Sequence, residues 1–61
     1  MRTFKVHLHD RRRHTPSMHL LRAKDREMAE AIADDLLEES ANHVAVELWD
    51  GKRRVYSSVR A

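Results

Sequence analysis

Sixty-one residues, 41% hydrophobic and 36% charged, with a net charge of +2 and no cysteine, describe one small folded domain over 1–61. That balance excludes a disordered segment, and the missing cysteines exclude disulfides and thiolate metal sites. No run approaches the ~18 apolar residues of a membrane span, and Met1-Arg-Thr-Phe-Lys-Val-His lacks the apolar core of a secretory signal, so a cytoplasmic protein with no membrane partner is expected.

Thr3 to His9 alternates, with Phe4, Val6 and Leu8 facing one way and Thr3, Lys5, His7 and His9 the other, which predicts a half-buried strand. The polar run Asp10 to Thr15 and Pro16, which cannot donate to a ladder, predict a loop. Ser17 to Ala23 predicts a second strand in one of two phases. One sends Met18 and Leu20 inward and joins His19 to His7 and His9. The other sends Leu21 and Ala23 inward with His19, and leads better into the helix after Asp25. A one-residue slip exchanges the faces, so the phase decides whether the three histidines cluster.

Asp25 is placed to cap a helix over 26–40, its carboxylate accepting from first-turn backbone N–H groups. Met28, Ile32 and Leu36 form one apolar row and Ala29, Ala33 and Leu37 the adjacent one, a stripe wide enough to cover a sheet. Ser40-Ala41-Asn42 predicts the stop, with Asn42 in a left-handed cap. The alternating runs on either side of Asp50-Gly51 then predict a two-residue hairpin. That turn pairs Trp49 with Lys52, Glu47 with Arg54, Val46 with Val55 and Ala45 with Tyr56. Val44, Val46, Leu48 and Val55 face the helix; Ala45, Glu47, Trp49, Lys52, Arg54 and Tyr56 face away.

The elements read ββαββ, an α+β two-layer sandwich: a four-stranded, mainly antiparallel sheet with one helix on one face. Strand order 2-1-3-4 makes every neighbour antiparallel and is favoured over 1-2-3-4. The predicted core is Phe4, Val6, Leu8, Leu21, Met28, Ile32, Leu36, Val44, Val46, Leu48 and Val55.

Thr3-Phe-Lys-Val-His-Leu8, then Leu21-Arg-Ala-Lys-Asp25 entering an Ala-rich acidic helix, then Val46-Glu-Leu-Trp-Asp-Gly-Lys-Arg-Arg-Val55, resembles small ββαββ proteins common in alphaproteobacteria. The resemblance covers nearly the whole chain, and its sharp element is the Glu-Leu-Trp-X-Gly-X-Arg-X-Val-like tail. That family has no assigned activity. The resemblance implies the fold and a bacterial source, and carries no functional residues with it.

Charge is segregated along the chain. Residues 26–40 hold six acids against Arg26 alone, a net of −5, and the remainder holds eleven Lys/Arg against four acids, a net of +7. A basic sheet layer can steer an anionic partner. Arg11, Arg12 and Arg13 form the densest patch, which Arg2, Lys5, Arg53, Arg54 and Arg60 could extend. With Trp49 available to stack on a base, the pattern fits weak nucleic-acid binding, although no recognised nucleic-acid motif is present.

Neither a metal nor a cofactor is expected: there is no cysteine, no His-Glu-X-X-His and no tight carboxylate–histidine spacing. Nor is an enzyme: a single helix on a sheet offers little concavity, and Asp34 and Asp35 point about 100° apart on a helix. The favoured function is a non-enzymatic module that binds a protein partner or a second copy of itself through the bare sheet face. Trp49, Tyr56, Arg54, Lys5 and Lys52 are its candidate residues, because aromatics are enriched at interfaces and a chain this short buries only about 60% of the surface it could.

Overall fold

Strands β1 (Arg2–Asp10) and β2 (Ser17–Ala23), helix α1 (Arg26–Glu38), then strands β3 (His43–Asp50) and β4 (Arg53–Val59) give the order ββαββ. The computed structural model describes residues 1–60. One antiparallel sheet has the order β2-β1-β3-β4, with α1 packed on one face, chiefly over β3. Among the described residues no helix is long and apolar enough to cross a membrane.

The first hairpin adopts the phase that sends Leu21 and Ala23 inward. Phe4 lies opposite Leu21, Val6 opposite His19 and Arg2 opposite Ala23. His19 is therefore on the helix side, away from His7 and His9. The second hairpin departs from the expected pairing. Asp50 pairs with Arg53 and Trp49 with Arg54, so Gly51 and Lys52 are the two turn residues. Gly51 carries the positive φ of 63°, the pattern of a type II′ turn, in which only the first central residue needs it. Lys52 lies in the turn and outside the strand ladder.

A second departure lies two residues further on. Leu48 pairs with Tyr56, leaving Val55 as the extra residue of a β-bulge. The bulge reverses the phase of β4. Tyr56, expected to face away from the helix, shares the helix side with Leu48, and its hydroxyl donates to Asp34 at 2.7 Å. The Asp34 carboxylate and partial burial both hold the phenol above its ordinary pKa.

The core is Phe4, Val6, Leu8, Ala23, Ala29, Ala33, Leu37, Val46 and Leu48, with Leu21, Leu36, Val55 and Tyr56 packed against it. Helix and sheet meet along the alanine row, because small side chains let the helix approach the bulky Phe4 and Leu48. The stripe therefore sits one row from the Met28–Ile32–Leu36 line that bulk alone suggests. Met28 is 43% exposed, and Ile32 and Val44 are only half-buried.

Asp25 caps the helix as expected, its Oδ1 accepting from the Met28 N–H at 2.9 Å. The other end is different: α1 stops at Glu38, and Glu39 takes a right-handed cap whose N–H bonds Leu36 at 3.3 Å. Asn42 is not left-handed, since among the described residues only Gly51 has positive φ. The last carbonyls are satisfied from elsewhere. His43 Nδ1 lies 2.7 Å from the Leu36 oxygen. Arg60, expected in the basic patch, instead donates to the carbonyls of Leu37, Ser40 and His43.

The helix-free sheet face as a candidate interaction surface

The register fixes which side chains share the bare face. Leu20, Lys5, Trp49 and Arg54 form one row across the four strands, and Met18, His7, Glu47 and Ser57 the next. His9, Ala45 and Val59 form a third, on β1, β3 and β4. Of the candidate residues, Trp49, Arg54 and Lys5 are thus neighbours on this face. Tyr56 lies on the other face and Lys52 at the turn.

At the centre is a polar cluster around Glu47. Arg54 Nη1 donates to Glu47 Oε2 at 3.1 Å, a diagonal contact and not the direct cross-strand pair expected. His7 Nδ1 and His9 Nε2 lie 3.7 and 3.6 Å from Oε1. Partial burial pushes the Glu47 carboxyl up, but Arg54 and His9 outweigh it and hold the pKa below its ordinary value. Trp49 stacks on His7 with ring centroids 5.6 Å apart and is half-buried. His19 lies on the opposite side of the sheet, and no group of three His, Asp or Glu side chains is placed to hold a metal ion among the described residues.

The apolar part of the face is larger than the aromatic residues alone suggest. Met18, Leu20 and Val59 are 61%, 72% and 74% exposed, three of the five large hydrophobic side chains that stand most open to solvent. Met18 and Leu20 stand together on β2 and Val59 apart on β4, at opposite edges of the sheet; single apolar residues are ordinary at a surface, whereas contiguous ones are a feature of contact sites. Sequence reasoning passed over all three. For Met18 and Leu20 the signal was present: the phase that turns Leu21 and Ala23 inward must turn them outward. For Val59 it was not, since the bulge reverses its side.

The arginine loop is a separate feature. Asp10 Oδ1 accepts from the backbone N–H of Arg12 at 2.8 Å and from its Nε at 3.0 Å, and Oδ2 from its Nη2 at 2.8 Å. This fork holds the Asp10 carboxyl far below the usual carboxylate range. Arg12 is thus engaged within the chain, and Arg11 and Arg13 alone of the three keep their side chains free of a carboxylate among the described residues. Asp10 is five residues along β1 from Lys5, the partner of Trp49, which is about 17 Å in a strand. Loop and indole therefore do not form one site. Arg2 is likewise drawn away, paired with Asp50 and lying over the Phe4 ring.

No protein-family model, no curated protein and no solved structure matches this chain.

Proposed function

We propose that this chain is a non-enzymatic module that associates with a second copy of itself through its sheet layer, with Met18 and Leu20 at the centre of the contact and Lys5 at its margin. The observation that supports this is the outward placement of Met18 and Leu20 on β2, an edge strand with no neighbour on its free side. The motive is energetic. A domain of this size is marginally stable, and covering apolar surface contributes about 25 cal/mol per Å² removed from water. Nucleic acid is the weaker occupant, because the arginine loop and Trp49 are about 17 Å apart along β1 and one of the three arginines is already paired.

The test compares Leu20→Glu with Met28→Glu by chemical cross-linking and gel filtration. Both side chains are exposed, one on the bare face and one on the helix, so neither change should unfold the domain. Loss of the dimer in Leu20→Glu alone is expected. Equal dimer in both variants contradicts the reading.

A further inference from the structure

We infer that the two copies join edge to edge, β2 of one protomer running antiparallel to β2 of its partner, to make a single eight-stranded sheet. This rests on the self-association proposed above and specifies how it is built.

The order β2-β1-β3-β4 leaves two edges, and they are unlike. The β4 edge is defended: it carries the bulge at Val55 and begins with Arg53 and Arg54, and Arg60 just beyond it is folded onto the helix end. Bulges and edge charges are the devices that discourage strand addition. The β2 edge has no bulge and carries less charge. Its seven residues, Ser17 to Ala23, run without a bulge and pair with β1 in unbroken register as far as Ser17. Arg22 is its one fixed charge, and Met18 and Leu20 stand exposed. Such a strand presents a row of unpaired backbone donors and acceptors to another chain. An antiparallel copy of the same strand satisfies them about a two-fold axis and closes the assembly at two.

The sequence of β2 selects a register. Centring the pair on Leu20 uses the whole strand: Ser17 lies opposite the partner's Ala23, Met18 opposite the partner's Arg22, and Leu20 opposite the partner's Leu20. Each arginine stem then lies along a methionine, and the two guanidinium groups sit at opposite ends of the contact. Pro16, which has no N–H to give, falls outside. Centring on His19 instead sets the two imidazoles against each other and brings Pro16 into the ladder. The Leu20 register leaves both helices on the same side of the joined sheet and makes one continuous helix-free face from two.

The absence of cysteine makes the test direct, since Leu20→Cys and Val59→Cys each carry a single nitroxide label at an exposed position. Dipolar electron paramagnetic resonance at a concentration where sedimentation shows dimer reads the distance between copies. Edge pairing through β2 places the two β4 strands seven spacings apart, about 34 Å, and the two β2 strands about 5 Å apart. We expect Val59 labels beyond ~30 Å and Leu20 labels within ~20 Å, allowing for the label arms. Val59 labels within ~20 Å overturn the inference, because they mean stacked sheets, about 10 Å apart, or contact through β4. In that case self-association stands and only its geometry falls. A label at position 20 that weakens association is bypassed by amide exchange on the unlabelled protein. Alternate β2 amides should gain protection with concentration, and equal gain in β4 overturns the inference.

Discussion

Arg60→Ala should destabilise the fold at the C-terminal end of the helix, and its cost can be worked from the geometry. The Arg60 guanidinium donates to the carbonyls of Leu37, Ser40 and His43, from the helix end to the start of β3. Hydrogen bonds to charged groups contribute about 1.5–3 kcal/mol each where water is excluded. The site is half-buried, so water replaces part of that, while the loss of a cation beside the helix C-terminus adds about 0.3–1 kcal/mol. The net expectation is about 2–4 kcal/mol, against a total stability of roughly 3–9 kcal/mol for a domain this size. At about 4–8 °C per kcal/mol, the melting temperature should fall by at least ~8 °C, followed by circular dichroism. Arg60→Lys keeps the charge but loses the planar fork, and should recover no more than ~1 kcal/mol. An Arg60→Ala variant that melts within ~3 °C of the parent refutes the capping role, and an Arg60→Lys variant equal to the parent refutes the fork.

Three other features of the structure carry measurable consequences. Ala33→Leu should cost at least ~1–3 kcal/mol by overpacking where the helix meets the sheet, whereas Ile32→Ala, on the half-buried neighbouring row, should cost about 1 kcal/mol in urea unfolding; the reverse order would place the helix one row away. Tyr56 is the one tyrosine, so ultraviolet absorbance reports its ionisation alone. Because its folded pKa is raised above the unfolded value, the stability it contributes is present below ~10 and lost as pH climbs through the folded pKa; Asp34→Asn should bring the titration earlier, and an unchanged midpoint would deny the contact. Asp10 has the opposite sign, with a depressed pKa whose contribution is present above ~4 and lost in acid. In Arg12→Ala its carboxyl should return toward the ordinary range by NMR titration.

The topology was legible in the sequence because alternation, the Asp25 cap and the lack of a second helix leave few ways to bury one face. The strand order came from antiparallel pairing alone. What escaped depends on one extra residue. Asp50-Gly51 locates the hairpin, yet the turn falls one residue later, and the Val55 bulge then turns Tyr56 under the helix. Nothing local marks a bulge when Val55 and Tyr56 are equally fit to face a core. The helix row was missed for a different reason: bulk ranks Met28 and Ile32 above Ala29 and Ala33, but closeness of approach favours the small residues. The Arg60 cap did leave a trace, since α1 has no basic residue in its last turn and ends in Glu38 with Glu39 as its cap, against its own dipole. Such an end calls for a cation from elsewhere in the chain.

Sedimentation equilibrium of the unaltered chain and of Leu20→Glu, from ~10 to ~500 μM, reads self-association itself. The parent should move from 7.2 kDa toward twice that mass as concentration rises, while Leu20→Glu stays at the monomer mass and melts with the parent at the dilute end of the range, where both are monomeric. A parent that remains at 7.2 kDa across the whole range contradicts the proposal.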